Sequence, residues 1–378
     1  MKIIFAGSIG RFPVGGHAWI DLQYLLGLRD LGHEVCYLEE CGAESCVYHW
    51  EREELTSDLQ YPTAYLQECL SRFDWGARWI YRAGDTCLGL SLTDFIDVCA
   101  EADLLLIRGV PLPLWRPEYL LPRRRAFIDV DPGFTQISMT RQSSLFRNTA
   151  SRCECLFTIG QRIGAQDCLA PTGDFRWNKT LSPVFLAQWP LAAKDGTHFT
   201  TVMQWRSYAE AKHDGRSYGN KNKEFPKFID LPRQTSQAFR IAVTGAPPGL
   251  LQAHGWEVVE GWKASRTLED YQLFVQQSRA EFCVAKQGYV AAQAGWFSDR
   301  SICYLASGRP VLVEDTGLAD WLPIGKGIIT FGDVREAQLG VEKILNDYPA
   351  HQAAGRRLAE EIFASERVLP PLLNTAMN

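Results

Sequence analysis

Several features that would point to simple function classes are missing from the 378-residue sequence. No run of about 18 apolar residues occurs, which excludes an ordinary membrane-spanning helix. The eleven cysteines form no Cys-x-x-Cys pair and no Cys/His set at zinc-ligand spacing, which disfavours a thiolate metal centre. Positive charge is not in excess, because the net charge is −5. We therefore expect no nucleic-acid partner and no binding to anionic membranes.

A secretory signal is also missing. The first apolar stretch, MKIIFAGSIG, is shorter than the apolar region of a signal peptide and is better interpreted as a buried strand. Cysteines that are scattered singly are typical of reduced thiols. These two observations predict a cytoplasmic protein.

Short β-rich runs alternate with helical stretches along the whole chain. Runs such as KIIFAG, ADLLLIRG and RAFIDVD are continuously apolar, which is typical of parallel strands buried on both faces. The same alternation restarts at HFTTVMQW, after a proline-containing stretch near 183–198. The sequence therefore predicts an α/β protein with two Rossmann-like, doubly wound domains that face a cleft. We place the domains at residues 1–190 and 191–355, with a C-terminal helix at 356–378 that packs back on the first domain.

The stretch FPVGGHAWIDLQYLLGLRDLGHEV places two glycines and a histidine directly before an amphipathic helix. Apolar residues recur there at helical spacing, at Ala18, Leu22, Leu25, Leu28 and Leu31. A helix N-terminus carries free N–H groups and partial positive charge, and Gly15 and Gly16 let a phosphate or a sugar approach the backbone. The glycines do not fit the Gly-x-Gly-x-x-Gly fingerprint, which disfavours a Rossmann dehydrogenase.

The glycine pair and the closing LGHEV resemble the first loop and helix of GT-B-fold glycosyltransferases of group 1 (family 4-like). His17 also matches a histidine that family-1-like members carry at this helix start. A second element, YLASGRPVLVEDTGLADWL, is similar to the helix, turn and strand that hold the nucleotide-sugar in the same family. The resemblance implies that the donor binds mainly to the second domain and the acceptor to the first.

One part of the family pattern is missing from this chain. The two glutamates of the family motif fall by register near Gly295 or Trp296 and on Cys303, and none of these residues is acidic. Asp299 lies one helical turn before Cys303. It either takes over the ribose contact or caps the helix without touching a ligand.

Basic residues and strand ends supply the remaining candidates. A diphosphate leaving group needs cationic stabilisation, and Arg206 with Lys221 or Lys223 matches the Arg and Lys that the family places after the first strand of its second domain. The candidate donor-binding set is Gly15, Gly16, Arg206, Lys221, Lys223, Gly245, Lys286, Tyr289, Asp299, Arg300, Thr316 and Gly317. Asp129 and Asp131 end a buried strand, and one of them orients His17 if His17 is a general base. The alternative for Asp131 is a turn cap.

These observations predict a glycosyltransferase that moves a sugar from a nucleotide-sugar to a hydroxyl, or a similar nucleophile, of a small molecule or glycan. The alternatives are a nucleotide-sugar epimerase and a two-domain binding protein without activity. The family 4 resemblance implies retention of configuration, whereas a basic His17 implies inversion. UDP, GDP and TDP donors are not distinguished, and neither a metal ion nor a separate cofactor is expected. The sequence does not predict an oligomeric state.

Overall fold

The computed structural model describes residues 1–378, and its first half is built around an eight-stranded sheet. The strands up to residue 179 are β1 (Lys2–Ala6), β2 (Glu34–Glu40), β3 (Val47–His49), β4 (Glu54–Thr56), β5 (Trp79–Ala83), β6 (Thr86–Gly89), β7 (Leu104–Arg108), β8 (Arg124–Asp129), β9 (Cys155–Thr158) and β10 (Asn178–Lys179). The sheet order is β10-β9-β8-β7-β1-β2-β5-β6, in which only β6 is antiparallel to its neighbour. Strands β3 and β4 form a separate hairpin.

Helices cover both faces of this sheet, as continuously apolar strands require. Ile3 and Phe5 pack into one core together with Leu22 of the first helix, whereas Ile4 packs into a second core with Phe95. Successive residues of a strand point to opposite faces, so both faces of β1 are buried. The helices are α1 (Gly15–Asp30), α2 (Gln60–Ser71), α3 (Leu92–Glu101), α4 (Phe134–Met139) and α5 (Leu145–Ala150).

A second, six-stranded parallel sheet follows, with the order β15-β14-β11-β16-β17-β18. Its part of the chain contains β11 (His198–Gln204), β12 (Ala211–His213), β13 (Arg216–Tyr218), β14 (Ala238–Thr244), β15 (Glu257–Glu260), β16 (Ala280–Cys283), β17 (Val311–Glu314) and β18 (Ile328–Phe331). Strands β12 and β13 form a hairpin outside the sheet. The helices are α6 (Lys221–Glu224), α7 (Leu231–Gln234), α8 (Leu268–Gln276), α9 (Gln287–Ala292), α10 (Asp299–Ala306), α11 (Val334–Asn346), α12 (Tyr348–Leu358) and α13 (Ser365–Met377).

The two sheets confirm the predicted pair of doubly wound α/β units, here called the first and second domains. The sequence missed the hairpins β3–β4 and β12–β13, because short irregular strands carry no apolar periodicity. The stretch SYGNKNKEF contains the single-turn helix α6. Helix α13 packs against α1, where Gly27 allows close approach to Ser365 and Leu369. The domain boundary at residue 190 stays a prediction.

No helix in the structure is both long enough and apolar enough to cross a lipid bilayer.

The start of α1 forms a close contact between the two domains. The backbone N–H of Gly16 donates to Ser265 Oγ at 2.8 Å, and the indole of Trp19 donates to the Leu268 carbonyl at 2.9 Å. A Cβ added at Gly15 would overlap the backbone carbonyl of Thr267. The absence of a side chain at Gly15 is therefore a packing requirement of the domain interface.

Replacing Gly15 by alanine should lower the free energy of unfolding by about 2–3 kcal/mol, because backbone on the opposite domain must shift to accommodate the methyl group. Urea denaturation measures the change. The control is Gly332→Ala, where the nearest atom to an added Cβ is the end of the Glu336 side chain at 3.4 Å. Equal stability of the two variants would show that the α1 contact is not closed in solution.

Candidate active site

A cavity of about 320 Å³ lies between the domains, at the carboxyl ends of strands from both sheets. Its first-domain wall follows β1 and β8, and its second-domain wall follows β11, β14, β15 and β16. The first domain contributes Val14, Gly16, His17, Ile20, Trp50 and Val130. The charged lining residues all come from the second domain and are Lys221, Lys286, Asp299 and Arg300. Ligands bind at this edge in doubly wound folds.

The loop between β1 and α1 is held by carboxylates of its own domain. Glu39 accepts hydrogen bonds from the backbone N–H groups of Gly10 and Arg11, at 2.9 and 2.5 Å, and Asp21 accepts from Ser8 N–H at 2.8 Å. Burial raises the pKa of Glu39 to about 7 even though these amides lower it. Of the predicted glycine pair, Gly16 lines the cavity whereas Gly15 packs on the second domain, and contact of the pair with donor phosphates stays a prediction.

His17 reaches the cavity, but no carboxylate orients it. Its Nε2 lies 2.8 Å from Ser8 Oγ, and its ring packs on Phe12 with 4.8 Å between centroids. Desolvation lowers the pKa of His17 to about 4, so the imidazole is neutral at physiological pH. The predicted pairing with Asp129 or Asp131 does not occur, because both carboxylates bond elsewhere.

Asp129 is a buried structural residue. It accepts hydrogen bonds from the Gln136 amide at 2.8 Å and the Thr158 hydroxyl at 2.7 Å, and its other oxygen accepts the backbone N–H of Asp131 at 2.9 Å. These bonds fasten the turn that follows β8. Asp129 does not line the cavity, so the structure places it behind the site.

Asp131 instead joins the two domains. It accepts hydrogen bonds from the hydroxyls of Tyr208 and Tyr289, and it pairs with the Lys286 ammonium at 3.1 Å. The same ammonium lies 2.6 Å from the Tyr208 hydroxyl and 5.4 Å from the centre of the Phe134 ring. Lys286 and Tyr289 line the cavity as predicted, whereas Asp131 contacts both of them without lining it.

Lys221 is the unusual cation of the site. Only 7 % of it is exposed, and its ammonium has no hydrogen-bond partner. Desolvation lowers the pKa of Lys221 to about 8, with Arg300 adding a repulsive contribution. A buried charge requires a counter-ion or hydrogen-bond acceptors. The protein itself gives the Lys221 ammonium no hydrogen-bond acceptor.

Arg300 and Asp299 stand at the first turn of α10. Arg300 donates to Glu281 at 2.5 Å and to the Val202 carbonyl at 2.9 Å. Asp299 Oδ1 accepts the Arg300 backbone N–H at 2.8 Å. Cys303, at the register of a family glutamate, is buried against Gln23 and cannot replace it at the cavity surface.

Six predicted donor-binding residues lie outside the cavity: Gly15, Arg206, Lys223, Gly245, Thr316 and Gly317. Arg206 and Lys223 are exposed, and Lys223 pairs with Glu210 at 2.6 Å. The Gly317 amide donates to Asp315, and the guanidinium of Arg162 from the first domain covers this loop. The Gly317 amide is thus already used within the protein.

Sequence reasoning did not assign several cavity residues. Trp50, which follows β3, lines the cavity. Trp75, Trp79 and Tyr81 of the same domain are core residues. Trp262 and Ser298 carried no motif signal at all. No group of three or more His, Cys, Asp or Glu side chains lies close enough to hold a metal ion, and metal-independent activity stays a prediction.

Solved structures of the same architecture resemble the whole chain. An alpha-glucosyltransferase in complex with UDP and a 13-mer DNA superposes with a TM-score of 0.60 and 10 % identity, covering 100 % of this chain and 98 % of that one. The sucrose-phosphate synthase from Thermosynechococcus elongatus has a TM-score of 0.57 and 12 % identity, with 99 % and 98 % covered. Anabaena HepE in complex with UDP has a TM-score of 0.57 and 10 % identity, with 99 % of each chain covered.

The chain has the GT-B fold. At these identities the likeness establishes the fold and no more. No protein-family model and no curated protein sequence matches the chain. The structural matches confirm the GT-B fold that the two sequence elements indicated.

The prediction that excluded a nucleic-acid partner is wrong. It used the net charge of −5, but a GT-B protein is solved in complex with DNA. The overall charge of a chain with this fold therefore does not decide which acceptor it takes.

The perturbed imidazole gives a pH test. Because the folded state lowers the pKa of His17 from 6.5 to about 4, the unfolded chain binds more protons between these values and stability is lost as pH falls through them. Wild type should lose about 2 kcal/mol from this group between pH 7 and pH 5. His17→Gln should not show this loss, whereas His213→Gln, outside the cavity, should follow wild type. Urea unfolding at pH 7 and pH 5 measures the loss of stability. An equal loss in wild type and His17→Gln would contradict the assignment of the lowered pKa to His17.

Proposed function

We propose that the protein is a glycosyltransferase that takes its sugar from a nucleoside diphosphate sugar bound in the interdomain cavity. The observation that carries this proposal is the buried, unpartnered ammonium of Lys221. Arg300 and Lys286 line the same cavity, so a diphosphate supplies the counter-charge that the site lacks.

The reaction follows from this placement of charge. The bond between the sugar C1 and the β-phosphate oxygen breaks, a bond from the acceptor oxygen to C1 forms, and the leaving diphosphate gains charge that the cations stabilise. The hydroxyl proton passes either to the leaving phosphate or to His17. The absence of a carboxylate partner on His17 favours the phosphate, because an imidazole base is ordinarily oriented by one. This route corresponds to retention of configuration.

The first-domain wall of the cavity fits an uncharged acceptor. Its lining has no formal charge, since His17 is neutral, and Trp50 supplies a flat apolar surface. Trp50 is held in place because its backbone N–H donates to Tyr61 at 3.3 Å and its ring packs on Tyr48 with 4.8 Å between centroids. An uncharged ring that bears a hydroxyl matches this surface.

Known GT-B complexes guide the choice of substrates. The alpha-glucosyltransferase is solved with UDP-glucose and with DNA, and HepE with UDP, so UDP-sugars and a base-modified oligonucleotide belong in the first panel. Release of free nucleotide that an acceptor accelerates supports transfer. Interconversion of the sugar without nucleotide release would support an epimerase instead, and saturable binding without turnover would overturn both activities.

Lys221→Met should weaken the binding of UDP, GDP or TDP by at least about thirtyfold, because the diphosphate loses its unshared cation. The same change should stabilise the unliganded protein, because it removes an uncompensated buried charge. Calorimetric titration and thermal unfolding measure the two effects. Lys223→Met, two residues further along α6 but exposed and paired with Glu210, should change neither. Unaltered nucleotide affinity in Lys221→Met would place the diphosphate elsewhere.

Trp50→Ala should raise the KM for a neutral ring acceptor about tenfold, without changing nucleotide affinity, because it removes acceptor contact area only. The control is Leu55→Ala on the same hairpin, where the side chain is 69 % exposed. Initial rates with an aryl alcohol, a methyl glycoside and the oligonucleotide identify which acceptor depends on Trp50. An unchanged KM for every active acceptor would contradict the assignment.

A further inference from the structure

Two glutamates lie buried behind the cations of the cavity and take no direct part in the proposed reaction. Glu224, the last residue of α6, is 1 % exposed, and Glu314, the last residue of β17, is 3 % exposed. The Glu314 carboxyl accepts a hydrogen bond from the Ala285 backbone N–H at 2.9 Å and also contacts the Glu224 carboxyl. The other oxygen of Glu224 pairs with the exposed ammonium of Lys227.

These two carboxyl groups share too little compensating charge for both to be ionised. Lys227 and one backbone N–H are the only positive or donating groups that face them. Burial, and then the contact with Glu224, raise the pKa of Glu314 well above its ordinary value. One proton between the two carboxyls gives a charge-assisted O–H···O hydrogen bond and a single negative charge, which Lys227 balances.

The pair joins the two segments that carry the cavity lysines. Lys221 lies one helical turn before Glu224 on α6, and Ala285 immediately precedes Lys286. The same segments are joined again where Gly288 N–H donates to the Gly219 carbonyl at 2.9 Å. Because neither lysine side chain bonds to Glu314, the carboxyl acts on both through the backbone.

We propose that Glu314 and Glu224 share one proton and in that form are positioning residues, which hold Lys221 and Lys286 where the diphosphate binds. The inference rests on the proposed function for its ligand. Loss of the shared proton sets two carboxylates against each other and separates α6 from the end of β17. Lys221 then moves away from the cavity with its helix.

A second titrating group in the same region makes a matched variant necessary. Desolvation is the main cause that lowers the pKa of Lys221 to about 8. The facing cations Arg300 and Lys286 also lower this pKa, whereas Glu281 and Cys283 raise it. Nucleotide affinity therefore falls above neutral pH for two separate reasons. Only a variant that removes one of the two titrations distinguishes them.

Glu314→Gln provides that variant, because its amide donates the hydrogen bond that the shared proton otherwise makes and does not ionise. We expect Glu314→Gln to bind UDP within about twofold of wild type at pH 7, and Glu314→Ala to bind at least about tenfold more weakly. Between pH 7 and pH 9, the loss of affinity should be at least about threefold smaller in Glu314→Gln than in wild type. Ionisation of UDP itself is common to all variants. Equal losses, or wild-type affinity in Glu314→Ala, would overturn the inference.

Unfolding without ligand separates this inference from the proposed function. A carboxyl with a raised pKa stabilises the fold below its unfolded pKa, and this contribution is lost as pH rises through the folded value. The Tm of Glu314→Gln minus the Tm of wild type should therefore be about 3 °C or more larger at pH 9 than at pH 6. A constant difference would overturn the shared proton. Failure of wild type to bind UDP, GDP or TDP would overturn the proposed function.

Discussion

The unpaired charge of Lys221 is the constraint around which the site is organised. Taking an ammonium out of water costs several kcal/mol unless a counter-charge is supplied, and no neighbouring acid forms an ion pair with the Lys221 ammonium. Glu281 is committed to Arg300 at 2.5 Å, and Asp131 is committed to Lys286 at 3.1 Å. Two of the three cavity cations are thus already paired. The charge left over for a ligand is that of Lys221, and burial of its side chain fixes where that ligand must place its negative groups.

The sequence was sufficient to predict the scaffold, because the scaffold depends on local pattern. Continuous apolar runs such as Leu104–Ile107 are typical of strands buried on both faces, and their alternation with helices favours parallel sheets. Parallel sheets in turn place residues that follow strands, such as Lys286, at one edge. The positions of His17, Lys286, Tyr289, Asp299 and Arg300 at the cavity could be predicted for that reason.

The sequence could not predict which polar groups already have hydrogen-bond or ion-pair partners within the protein. The amides near Gly10 are taken by Glu39 and the loop at Gly317 by Asp315 and Arg162, and all these partners except Asp315 are distant in the chain. Similarly, Asp129 ends β8 and Asp131 follows it by two residues. Asp129 is nevertheless enclosed by Gln136 and Thr158, whereas Asp131 pairs with Lys286 of the second domain. Motif spacing locates a residue on an element, whereas tertiary partners decide whether its donors and acceptors remain free.

The same distinction explains why net charge failed as a guide to partners. The chain carries five more acidic than basic side chains, but the cavity is lined by three basic side chains, Lys221, Lys286 and Arg300, and by one carboxylate, Asp299. The field inside a low-dielectric cleft is set by these few groups, because distant surface charges are screened by water and salt. The first-domain wall of the cavity, by contrast, has no formal charge. An acidic protein therefore presents a cavity with one positive wall and one neutral wall, and neither property follows from its total charge.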